Sequence, residues 1–297
     1  MSATPGTLAG GLASGRPPAP ASNFERWRRN LATDLRAARA RTYVRIIGST
    51  REPVWLFGDA VFPNIGMCAF VLLYRALGAP HEFEALAVLG GILSTYWINV
   101  LWGMGAQLYW EKQQGQLQLY FVAPCSRMAI LTGMAVGGGL MTTLRSVVGI
   151  AIGFWVFHIH VTPVGLWELL GIFIVTMTAL YTVGMTFSSL FLLFGREAWH
   201  LCNALTEPVY FLSGMYFPIR ALGALGAVAA AILPLGLGVD AMRQALLGAG
   251  AHGLLPLPAE ITILVIFSAV FLVLARHALA YLEMLSKREG RLTQRWQ

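Results

Sequence analysis

The chain has 297 residues, of which 57% are hydrophobic and only 12% are charged. A soluble domain carries roughly 25% charge, so this composition excludes an ordinary water-soluble globule and places most of the surface against lipid. The formal charge of +7 does not point to nucleic acid, because the basic residues are spread along the chain and not gathered on a soluble module.

Residues 1–22 are rich in Gly, Ala, Ser and Pro and read as a disordered tail, with no continuous apolar stretch of the kind a secretory signal needs. Residues 23–52 read as an amphipathic interfacial helix. Phe24, Trp27, Leu31, Leu35 and Ala38 recur at steps of three and four, while Arg26, Arg28, Arg29, Arg36 and Arg39 fall largely elsewhere around the wheel. Such a helix either lies in the membrane interface or is a solvated helix obeying the positive-inside bias. Pro53 then suits the first turn of the next helix, where its missing N–H costs nothing.

A six-span membrane domain is predicted over 53–285, with an all-α polytopic fold. The spans fall near 54–74, 86–108, 129–157, 166–194, 199–218 and 261–281, each close to the roughly 20 residues that cross about 30 Å of hydrocarbon. Residues 221–237 are apolar but interrupted by Gly and Pro234, so they read as short re-entrant helices between spans five and six. With the N-terminus inside, the cytoplasmic face collects 17 of the 21 Lys and Arg residues, which satisfies the positive-inside rule. Both termini are then cytoplasmic, with a basic tail at 286–297. A seventh span would send that tail outside.

The loop between spans two and three, from Glu111 to Arg127, forms a short cytoplasmic amphipathic helix. Leu117, Tyr120 and Phe121 share one face, and Pro124 ends it. That apolar face must be buried in headgroups, in the rest of the chain, or in a groove on a partner.

Here the chain resembles the permease subunits of the type-2 ABC exporters. Their loop carries a Glu, then Gly-Thr-Leu-Glu four residues on, several apolar residues, and Pro-x-Ser-Arg. Glu111, Gly115, Leu117, Pro124, Ser126 and Arg127 stand at the matching positions, while Gln116 and Gln118 replace the Thr and Glu. A second block, Glu207-Pro208 through Leu212-Ser213-Gly214 to Phe217-Pro218, is similar to the ending of the family's fifth helix. The resemblance covers roughly residues 24–285. It implies an ATP-driven exporter whose coupling helix docks on a cytoplasmic ATPase subunit, with a second permease chain, as homo- or heterodimer, completing twelve spans. It also implies a multi-pass protein of the bacterial inner membrane. The coupling residues would be Glu111, Gly115, Leu117, Tyr120, Phe121, Pro124 and Arg127. The cargo would be amphipathic: a drug, a lipid or a lipid-linked glycan.

No Gly-Lys followed by Ser or Thr occurs, and a P-loop requires that lysine to reach the terminal phosphates. No cofactor is therefore expected on this chain, with ATP and Mg on the partner ATPase. The chain itself reads as a transport subunit and not as an enzyme. An ion-gradient-driven secondary transporter is the alternative, but neither an internal repeat nor a convincing midplane ion site supports it.

Several side chains stand out within the spans. Arg145 either faces protein or water inside the membrane or snorkels to the outer headgroups. Asp59 reads as structural. Glu207, ahead of Pro208, is either a polar point on the translocation path or subunit seam, or a local pair or cap. Ser213, Gly214 and Phe217 are grouped with it. Gly133, Gly137, Gly138 and Gly139 would let another helix approach closely. His158 and His160 lack further metal ligands. Trp97, Trp102, Trp110 and Trp167 suit interfacial belts.

Overall fold

The computed structural model describes residues 23–158, 165–194, 197–247 and 253–289. The expected tail at 1–22, His160, and the last part of the basic tail at 290–297 lie outside them. Helices and turns make up the described residues, without strand.

Helix α1 spans Asn23–Thr50 and α2 spans Pro53–Ala76, opening on its proline. Helix α3 (His81–Ile98) runs without a break through a π-helical turn, Asn99–Gly105, into α4 (Gln107–Gln113). The π turn is marked by Ala106 N–H donating to Leu101 O at 2.9 Å, five residues back. The second span was expected to end at 108, but it continues to Gln113. His81–Gln113 is thus a 33-residue rod, about 50 Å long at 1.5 Å per residue. That exceeds about 30 Å of hydrocarbon, so one end projects beyond it. Glu111 belongs to this rod and not to the short helix after it.

Helix α5 (Leu117–Val122) is a single short piece, followed by α6 (Arg127–Ala151) with a closing π turn, Ile152–Val156. Ser126 caps α6 by accepting from Ala129 N–H at 3.2 Å. Helix α7 spans Leu166–Phe194 and α8 spans Glu197–Leu212. At 16 residues, α8 falls short of a full crossing by itself. The expected fifth span, 199–218, therefore ends early, because Gly214 at φ +60° turns the chain out of the helix.

Helices α9 (Gly223–Ile232) and α10 (Pro234–Leu247) follow, and α11 (Leu257–Glu289) closes the described chain. The segment Ile219–Ile232 meets α10 at a 106° bend, with Pro234 opening the second arm as the broken hydropathy led one to expect. Among the described residues five helices are long and apolar enough to cross a membrane, or six if the bent pair is one span.

The rod of α3 and α4 forms the buried centre, with Leu93, Tyr96, Val100, Leu101 and Met104 enclosed. Trp97 is 4% exposed and lies edge-on to Phe187 at 6.4 Å between ring centroids. It is a core residue and not part of an interfacial belt, because α3 is covered on all sides. Helices α2 and α11 instead display Phe57, Phe62, Ile65, Val265, Val270 and Leu274. Apolar surface of this extent marks contact with lipid or protein.

The glycine face of α6 receives α1. A Cβ on Gly133 would sit 2.5 Å from Ala38 O, and one on Gly137 would sit 2.9 Å from Arg45 Cβ. Thr42 Oγ1 donates to Gly133 O at 3.1 Å, and Ser126 N–H donates to Asp34 Oδ1 at 2.7 Å. The matched advance from Asp34 to Arg45 and from Ser126 to Gly137 lays α1 lengthwise on the first half of α6. Ala38, expected on the apolar stripe, turns towards α6, whereas Leu31 and Leu35 remain exposed.

Candidate functional site

The rod reverses into α5 at Gly115. Gly115 N–H donates to Lys112 O at 3.0 Å and Gln116 N–H to Glu111 O at 2.9 Å, the double closure of a Schellman end. Gly115 adopts φ +76°, a left-handed conformation that costs an L side chain roughly 1–2 kcal/mol. Glycine at this position is therefore required by the turn.

A buried polar network braces the turn. Glu111, 2% exposed, forms an ion pair with Arg41 of α1. Gln107 Nε2 donates to Glu111 Oε1 at 2.9 Å, and Arg45 Nη1 donates to Gln107 Oε1 at 3.0 Å. The Arg41 guanidinium also sits over the Tyr120 ring, 5.5 Å from its centroid. Burial, and then the adjacent Glu111, push the Tyr120 phenol above its ordinary range, so Tyr120 stays neutral at physiological pH. Burial and the nearby Arg41 and Arg145 lower the Arg45 guanidinium from its usual value. Arg41, Gln107 and Arg45 were missed in the sequence. The usable signal was the spacing of Asp34, Ala38, Arg41, Thr42 and Arg45 on one face of α1.

The residues singled out for coupling thus divide into two sets. Glu111 and Leu117 are buried and Tyr120 is half-buried, all serving the chain's own packing. Pro124 is exposed, and Arg127 opens α6. The Phe121 side chain lies outside the described part. Of the three places open to the Leu117–Tyr120 face, the structure buries it in the rest of the chain, where Leu117 joins the main core. Leu119 and Val122, at 68% and 84% exposed, add an apolar surface that periodicity had not picked out.

The remaining candidates do not converge on one place. Arg145 Nη1 pairs with Asp59 Oδ2 of α2 at 2.8 Å. Its charge therefore has a partner within the chain. Glu207 is exposed on α8, ahead of Pro208. Ser213 and Gly214 are fully enclosed, and the turn they form packs on α3. Phe217 is half-buried and meets Phe211 edge-on at 5.5 Å. His158 is exposed, at φ +53°.

Long apolar helices around a buried rod, with a braced elbow at its end, define a polytopic helical membrane protein. The chain belongs to the ABC-2 type transporter family, whose model matches residues 40–247. That match covers more than half of the chain and contains the elbow, the α9–α10 bend and the part of the α1–α6 contact from Arg41 onward. A comparison with curated proteins finds no match. The protein is accordingly a multi-pass permease component of an ABC transporter, a family whose members in general associate with an ATPase subunit.

Proposed function

We propose that this permease is the membrane half of an ATP-driven exporter and that the α4–α5 elbow transmits the motion of a separate cytoplasmic ATPase dimer. The observation that carries the reading is the way the elbow is built. Its inner side, Glu111, Leu117 and Tyr120, is fixed to α1 and the core, while Leu119, Val122 and Pro124 are left exposed. A short piece fixed on one side and apolar on the other moves as a unit with the 33-residue rod behind it. Pushing on α5 then displaces α3 through the bilayer with little local give.

ATP and Mg belong to the partner, and no catalytic, cofactor or metal residue is assigned to this chain. Two permease chains work together, as homo- or heterodimer. Glu207 is exposed on a helix too short to cross alone, which suits a subunit seam better than a lipid face, since an unpaired carboxylate in hydrocarbon is costly. The charge distribution and the family resemblance support cytoplasmic termini and a bacterial inner-membrane location for this reading. The cargo is amphipathic, of drug, lipid or lipid-linked glycan type.

The test is co-purification with a co-expressed ATPase and measurement of hydrolysis in vesicles. Leu119→Asp combined with Val122→Asp should abolish stimulated hydrolysis and complex recovery while membrane insertion and thermal stability are retained. Retained stimulation in that variant would overturn the coupling role of α5.

A further inference from the structure

Away from the elbow, three charged side chains are buried together where α10 meets α11. Asp240 and Arg243 of α10 pair at 3.0 Å, and Glu260 stands in the first turn of α11. Asp240 is 1% exposed and Glu260 0%. Two successive amides bring the carboxyls to one place. Leu254 N–H donates to Asp240 Oδ2 at 2.5 Å, and Leu255 N–H donates to Glu260 Oε1 at 3.2 Å. Neighbouring residues are only about 3.8 Å apart along the chain, and the Glu260 carboxyl lies in hydrogen-bonding contact with that of Asp240.

The charges do not balance if both carboxyls are ionised. Arg243 supplies one positive charge, and the α11 N-terminus adds only about half of one. The other polar groups around the pair are neutral or engaged. Gln244 Nε2 donates to Leu255 O at 2.9 Å and reaches Asp240 Oδ2 at 3.4 Å. Arg220 Nη2 donates to Gly253 O at 2.7 Å. Helix α7, packed on both α10 and α11, presents the uncharged Thr176 and Ala179 there. On α3, Glu84 is paired with Arg75 and His81, and α9 carries no charge. Hydrogen bonding leads to the same count. Glu260 Oε2 is buried, and no donor reaches it among the described residues. Two ionised carboxylates side by side are acceptors only, with no hydrogen between them, and that is costly in a dry site. One proton on the pair removes both defects, because it neutralises one carboxyl and gives the other a donor.

We propose that Asp240 and Glu260 form a proton-binding site, which holds one proton while the Gly253–Leu255 stretch is closed over it and releases that proton when the stretch opens. Side chains meet four backbone groups of this stretch: Arg220 at Gly253 O, Asp240 at Leu254 N–H, Glu260 at Leu255 N–H and Gln244 at Leu255 O. Opening hydrates both carboxyls, and both then ionise. The closed form thus binds more protons than the open one, so raising the pH drives opening, by at most about tenfold per pH unit for a single proton. The site lies apart from the elbow and does not depend on the transport reading.

The experiment uses the full chain in detergent micelles. Infrared spectra at neutral pH should show a protonated-carboxyl C=O band that is lost in Glu260→Gln. Hydrogen exchange over 253–257, corrected for the intrinsic effect of pH, should accelerate by up to about tenfold per pH unit as the wild type is made alkaline. The band should fade over the same range. In Glu260→Gln the side-chain amide supplies a hydrogen to Asp240 at every pH, so the acceleration should vanish. The exposed 265–274 face of α11 is the control and should show no such slope. The wild-type titration is decisive even where Glu260→Gln fails to fold. A missing acid band at neutral pH, a band that survives Glu260→Gln, or exchange at 253–257 that ignores pH would overturn the proposal.

Discussion

Arg41 and Glu111, seventy positions apart in sequence, form the buried ion pair that ties α1 to the end of the central rod. Gln107 holds the same carboxylate from one helical turn below, and Tyr120 lies under the guanidinium. Removing one member of a buried pair leaves the other charge without compensation, at a cost of about 3–5 kcal/mol. Glu111→Ala should therefore free α1 and expose its arginines. Limited trypsin digestion of the protein in detergent should cut after Arg36 and Arg39 at least several-fold faster than in the wild type. The double variant with Arg41→Met should recover much of the protection, since an apolar replacement of the whole pair removes the unpaired charge.

Much of this architecture was readable in the sequence, for identifiable reasons. Hydropathy locates α2, α6, α7 and α11 because lipid imposes a long apolar run irrespective of tertiary contacts. The same signal fails for α8, which ends at Leu212 because of a left-handed glycine two residues on, and for the rod, whose continuation to Gln113 is polar where it leaves the bilayer. At the elbow, periodicity put Leu117 and Tyr120 on the face that needs burial but left open what buries it, and it did not mark Leu119 and Val122, whose exposure depends on how α5 packs against the core. The pairing of distant helices leaves no local pattern: Arg41 lies on a legible face of α1, but neither its partner Glu111 nor the Arg145–Asp59 pair could be read from spacing.

The glycine face of α6 gives a second prediction, independent of charge. With a Cβ on Gly133 only 2.5 Å from a backbone oxygen of α1, no side-chain rotamer can relieve the contact. Gly133→Leu should detach α1 and lower the thermal transition in detergent by several degrees, with a destabilisation of about 1–3 kcal/mol typical of overpacking. Gly171→Leu is the control. Nothing lies within 4 Å of its would-be Cβ, and its transition should stay at the wild-type value.

Arg145 and Asp59 lend themselves to an exchange. Arginine at the centre of a span costs about 2.5–3.5 kcal/mol on insertion scales, and Asp59 offsets part of that here. Asp59→Leu should lower the amount of protein recovered from membranes and its thermal stability. The swapped pair, Asp59→Arg with Arg145→Asp, should restore both in large part, whereas Arg145→Leu should be as harmful as Asp59→Leu, because it leaves the 47% exposed Asp59 carboxylate unpaired within a span. Equal loss in the swap and in the single variants would show that geometry beyond the pair matters more than the charge.

The turn after α8 is held from two helices at once. Tyr74 OH of α2 donates to Tyr216 O, and the Phe70 and Tyr216 rings stack at 4.1 Å, 5° from parallel. From the other side, a Cβ on Gly90 of α3 would fall 1.6 Å from Met215 O, so the chain between Ser213 and Phe217 lies directly on the α3 backbone. If the rod moves when α5 is pushed, this contact carries the motion to the opposite end of α3. Gly90→Ala forces the turn away and should cost more in stability than Gly171→Ala by at least about 1 kcal/mol. In the complex with an ATPase, Gly90→Ala should depress cargo movement more than ATP hydrolysis, because the elbow is intact and only its far end is disengaged. Equal reduction of hydrolysis and transport would place the defect at the elbow and refute a role for the Gly90–Met215 contact in transmission.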